Sequence, residues 1–67
     1  MSVARVTEIS STSTKSFEDA ISSGIKRATA TLRNVRSAWV KEQRVDVKND
    51  QITEYQVNLM VTFVLED

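Results

Sequence analysis

Tyr55-Gln56-Val57-Asn58-Leu59-Met60-Val61-Thr62-Phe63-Val64-Leu65 is the stretch on which the fold turns. Tyr55, Val57, Leu59, Val61, Phe63 and Leu65 fall on one side of an extended chain, and Gln56, Asn58, Met60, Thr62 and Val64 on the other. Such alternation predicts a strand with one face on a core. The second face is too apolar at Met60 and Val64 for plain solvent surface.

Working back from this strand, Asn49-Asp50 are two residues that tolerate positive φ, so they can close a tight hairpin between Val47-Lys48 and Gln51-Ile52. From Ser37 to Lys48, Trp39, Val40, Val45 and Val47 alternate imperfectly with charged residues. This predicts a long strand that bends or bulges. Further back, Ser16 precedes Phe17-Glu18-Asp19, placing a hydroxyl cap before two acids where a helix dipole favours negative charge. Phe17, Ile21, Gly24, Ala28, Leu32 and Val35, flanked by Ala20 and Ile25, then form one apolar stripe at helical spacing. Gly24 and Ala28 make its centre small enough for close approach, and Arg33 and Arg36 are read as closing the helix. Val3-Ala4-Arg5-Val6-Thr7-Glu8-Ile9 reads as a first strand, and the hydroxyl-rich Ser10-Ser11-Thr12-Ser13-Thr14-Lys15 as a loop.

The expected fold is therefore α+β, in the order β-α-β-β, with a three-stranded antiparallel sheet wrapped on one helix. A right-handed crossover would place the last strand between the other two. One helix covers only one face of a sheet, so a second subunit is expected on the other.

The chain has 67 residues, which allows a single domain over 1–67. Surface scaling for 7.6 kDa gives a folded monomer of ~4,300 Å², burying only about 61% of the open chain's surface. With no cysteine and no histidine, neither disulfides nor thiolate or imidazole zinc sites can staple so small a core, which leaves self-association. The same absences remove Cys-His and Ser-His-Asp catalysis, and the serines and threonines have no base to activate them. No enzyme is expected. Nine basic and nine acidic side chains cancel, so no excess positive potential draws in nucleic acid. All nine bases lie within residues 1–48, whereas 49–67 carries only acids, an asymmetry that suits packing between copies. The amino-terminal Met1-Ser2-Val3-Ala4-Arg5-Val6 lacks the apolar core of a signal peptide, and no run reaches the ~20 apolar residues of a membrane span. The chain reads as soluble and cytoplasmic.

The runs Ser13-Thr14-Lys15-Ser16-Phe17-Glu18-Asp19-Ala20-Ile21, Arg27-Ala28-Thr29-Ala30-Thr31-Leu32-Arg33-Asn34-Val35, and Glu54-Tyr55-Gln56-Val57 through Phe63-Val64-Leu65-Glu66 resemble the dodecins in order and spacing. That resemblance implies a hollow homododecamer holding flavin (riboflavin, FMN or FAD) between subunits. It implies storage or sequestration rather than catalysis. An aromatic ring would stack on the isoalloxazine and a glutamine would meet its polar edge; Gln56 matches the glutamine. Flavin-binding dodecins carry a tryptophan at the start of the second strand. Alignment of the flanking residues puts Ser37 there, with Trp39 two residues further on, about 6.7 Å along the strand. Trp39 reads either as a subunit-interface residue or as a displaced flavin platform. Some dodecins lacking the tryptophan bind metal, calcium among them, and Ser37 with Arg36 resemble that branch. Ser11 departs from a glycine common in the family. The implied ligand is flavin, and the alternative is a calcium-stabilised structural or storage shell without it.

Other candidates are weaker. Glu42, Asp46, Asp50 and Glu54 straddle the hairpin with oxygens that suit a divalent cation, but their spacing matches no calcium loop. Lys26, Arg27, Arg33 and Arg36 could meet a phosphate, though most point outward from the helix.

Overall fold

The computed structural model of the protein describes residues 2–65. Met1, Glu66 and Asp67 lie outside the described residues. So do two of the carboxyl-terminal acids and the end of the Phe63–Glu66 motif. The chain runs β1 (Ala4–Ser13), α1 (Phe17–Thr31), β2 (Val35–Lys48) and β3 (Gln51–Val64). The sheet order is β1-β3-β2, with β3 antiparallel to both neighbours. The most regularly alternating strand is thus the central one, as expected.

The hairpin closes at Asn49 and Asp50, whose φ values of 53° and 63° suit the primed turns that match strand twist. β2 keeps the irregularity its sequence suggested: register shifts fall between Val35 and Ser37, Val40 and Glu42, and Asp46 and Val47. Helix α1 starts as read. Ser16 is its N-cap and accepts from the Asp19 amide at 3.0 Å. The Asp19 carboxylate accepts instead from the Ser13 hydroxyl at 2.7 Å, and that hydroxyl itself accepts from the Lys15 amide at 2.9 Å.

Local expectations are corrected at the helix end, at Ser10–Ser13 and at Leu65. The helix ends at Thr31 with Leu32 as its C-cap in extended conformation, so no basic residue occupies its last turn. Arg33 lies beyond the helix and Arg36 lies in β2; Val35 reaches the core from the strand. Secondly, Ser10–Ser13 are strand rather than loop, because Tyr55–Asn58 of β3 supply ladder partners for all four and side-chain propensity yields to pairing.

The core is thin. Ala20, Gly24 and Ala28 of α1 are buried over Val57, Leu59 and Val61 of β3, with Ile9, Phe17, Ile21, Ile25, Leu32, Val35 and Ala38 packed around them. Phe17 meets Tyr55 edge-on, with centroids 5.1 Å apart. A Cβ at Gly24 would come 3.0 Å from Leu59 Cδ1 and 3.1 Å from Ser11 Cβ, which explains the small centre of the stripe. Leu65, placed with the core face by alternation, lies past β3 and is exposed.

Helix α1, with 15 residues, spans roughly 22 Å, whereas β3, with 14, spans roughly 46 Å. The β2–β3 ribbon therefore projects beyond the helix, and the chain measures 52 × 19 × 13 Å. Its radius of gyration is 13.9 Å against about 11 Å for a compact domain of this length. It exposes 5144 Å², about a fifth more than surface scaling gives for its mass. Open grooves of about 470 and 390 Å³ flank the helix on its β1 and β2 sides. Among the described residues, no helix is long and apolar enough to cross a membrane.

Candidate functional site

The face of the sheet turned away from α1 carries the candidate residues, because cross-strand partners share a face. Four rows cross it: Val6–Thr62–Ser37, Glu8–Met60–Trp39, Ser10–Asn58–Glu42 and Thr12–Gln56–Arg44. Ser37, Trp39 and Gln56 are thus brought to one surface. They do not form one pocket within the chain, since Gln56 lies four residues along β3 from Met60, roughly 13 Å. No register shift separates Ser37 from Trp39, so their rows stay two residues apart along the strand. Trp39 is 52% exposed, with the Met60 side chain beside it on the same face.

Around Gln56 the surface is a continuous polar ladder. Arg44 Nε donates to Gln56 Oε1 at 3.3 Å. Gln56 Nε2 donates to Ser10 Oγ at 3.1 Å and to Asn58 Oδ1 at 3.2 Å. Asn58 Nδ2 in turn donates to Glu8 Oε2 and Glu42 Oε1, each at 3.3 Å. Lys41 Nζ closes the ladder on Glu8 Oε1 at 3.2 Å. Arg44, Asn58, Ser10 and Glu8 are site neighbours that sequence reasoning did not assign to the site. Their identities were visible, but their approach to Gln56 depends on the register.

The hairpin acids do not converge. Asp46 lies opposite Glu54, Asp50 is in the turn, and Glu42 bonds Asn58. Among the described residues no three His, Cys, Asp or Glu side chains form a group able to hold a metal ion. Lys26, Arg27, Arg33 and Arg36 are all exposed, and only Arg36 lines the groove between α1 and β2.

The dodecin family profile matches residues 3–66. The chain belongs to the dodecin family. Solved dodecins carry the same fold over essentially the whole chain. The dodecin from Streptomyces davaonensis is 38% identical, with 98% of this chain and 97% of that one covered, at a TM-score of 0.92. A tryptophan-to-phenylalanine variant of the T. thermophilus dodecin is 37% identical over 100% of both chains, also at 0.92. A calcium-chelating immunodominant antigen from Mycobacterium tuberculosis, described as a calcium dodecin with a novel calcium-binding site, is 32% identical. It covers 97% of this chain and 93% of that one at a TM-score of 0.83. No curated protein matches the chain. The β-α-β-β order and single-helix antiparallel sheet are those of the dodecin fold.

Proposed function

We propose that this dodecin is a non-enzymatic, cytoplasmic flavin-storage protein that assembles into a hollow homododecamer and holds flavin between subunits. The observation that carries this reading is the uncovered sheet face, where an exposed Trp39 lies on the same surface as an ordered amide at Gln56. A large ring offers a stacking surface worth ~1–3 kcal/mol, by analogy with bases on aromatic platforms. An amide supplies directional bonds to the polar edge of an isoalloxazine. Since Trp39 and Gln56 lie apart within one chain, the flavin is framed by residues from more than one copy. The excess surface and elongated shape support association, because a chain with so little core gains most by burying its open face. Stacking there would quench the flavin's photochemistry, and Ser37 lines the same face one row beyond Trp39. A visible spectrum of the purified protein, followed by riboflavin fluorescence titration, tests the reading. Quenching on binding is expected, and unquenched riboflavin at high micromolar protein would refute it.

The second reading is a shell of the same build that takes a divalent cation, calcium first, in place of flavin. The two carboxylates that bracket Asn58, from Glu8 and Glu42, favour it, as does the likeness to a calcium dodecin. Hard oxygen donors suit calcium, but two carboxylates fall short of its usual six to eight ligands. Further donors would come from other subunits. Under this reading chelator lowers the melting temperature and added calcium restores it; under the flavin reading both leave it unchanged.

A further inference from the structure

The geometry points to Arg44 as the residue that fixes which way the Gln56 amide faces, and so to an amide that offers a ligand an acceptor rather than a donor. An amide can be turned end for end at little steric cost, and only its partners decide its orientation. Here both ends of the ladder are one-way groups. Arg44 only donates, so the atom it meets on Gln56 at 3.3 Å is the carbonyl oxygen. At the far end the carboxylates of Glu8 and Glu42 only accept, so both meet the Asn58 nitrogen and turn the Asn58 oxygen toward Gln56. Gln56 Nε2 then has an acceptor on each side, Ser10 Oγ and Asn58 Oδ1. Turning Gln56 over would set donor against donor at Arg44 and acceptor against acceptor at Asn58.

The consequence is a selectivity. Both N–H groups of Gln56 are engaged, while the second lone pair of its carbonyl has no partner among the described residues. The ligand group it suits is an N–H, such as the imide N–H of an isoalloxazine, and a ligand lacking that proton leaves the lone pair unmet. Arg44 acts through Gln56 and is a positioning residue. The ligand class rests on the flavin reading; the amide orientation does not.

The test has two independent arms on the assembled full-length chain. In the first, riboflavin and 3-methylriboflavin are titrated by fluorescence quenching. Wild type should bind riboflavin about tenfold more tightly, the value of one hydrogen bond. Arg44→Lys, still a donor, should keep that preference, whereas Arg44→Glu, an acceptor, should abolish it. The second arm needs no ligand. With glutamine labelled in its side-chain nitrogen and Gln56→Glu used for assignment, Gln56 amide protons should exchange with water more slowly than those of Gln51. That protection should survive Arg44→Lys and vanish in Arg44→Glu. Equal affinity for the two flavins, or unchanged exchange in Arg44→Glu, overturns the assignment. Failure of both flavins to bind refutes the flavin reading alone, and the exchange arm still decides the orientation.

Discussion

The Ser13 hydroxyl donates to Asp19 Oδ2 at 2.7 Å while accepting from the Lys15 amide, joining the last residue of β1 to the first turn of α1. Ser13 is 7% exposed, so this charge-assisted bond operates where water competes poorly, and bonds of that kind contribute about 1.5–3 kcal/mol. Ser13→Ala and Asp19→Ala should each destabilise the protein by about 1–3 kcal/mol, and the double variant by about 1 kcal/mol less than their sum. Urea unfolding at fixed protein concentration measures this. Strict additivity would show that the pair contributes nothing.

Gly24 offers a second test. Alanine is the better helix former by roughly 1 kcal/mol, but its Cβ would press on Leu59 and on Ser11 Cβ. Leu59 is buried and Ser11 Cβ is fixed to a strand, so neither yields readily. Gly24→Ala should lower stability by about 1–3 kcal/mol, and an increase in melting temperature would show that the helix can shift outward.

Ser37 stands on the same face as Trp39, two residues along β2. If the family's stacking position is that of Ser37, Ser37→Trp should tighten riboflavin binding by about tenfold or more. Equal affinity in the titration would mean that Trp39 already fills the role or that the ring sits elsewhere.

Val47 and Ile52 face each other near the hairpin turn and are 60% and 52% exposed. Among the described residues the ribbon has no third strand from Tyr55 to the turn, and a two-stranded ribbon alone is marginal in water. Ile52→Lys should therefore shift light-scattering mass toward smaller species, whereas Gln51→Lys should leave it unchanged. An unaltered particle for Ile52→Lys would place the tip outside every subunit contact.

Much of this architecture could be read from residues alone, for identifiable reasons. The alternation from Tyr55 to Phe63 left no face ambiguous, Asn49-Asp50 suited a turn needing two positive φ values, and Ser16 with Asp19 marked the helix start. The helix end was misjudged because Leu32 and Val35 continue the helical spacing although Val35 packs from a strand. Asn34, at φ 59°, held the overlooked signal, since asparagine is among the few residues at ease there. Serines and threonines at 10–13 favour turns by local bonding, but a long partner strand outweighed that tendency. The ladder around Gln56 was hidden more deeply. Counting regularly from the turn, where Val47 faces Ile52, would set Gln43 opposite Gln56. The shift between Asp46 and Val47 substitutes Arg44, and no composition or periodicity forecasts one extra residue.

The two register shifts that leave an extra residue in β2 have a further effect on how copies can meet. β2 is an outer strand, and a flat, unbroken outer strand would recruit an endless succession of others, as fibrils do. Interrupting its row of free amides and carbonyls twice, with Arg36 and Lys41 as the extra residues, denies that template any long straight run. Growth by strand addition is blunted, and association is channelled into contacts that can close on themselves.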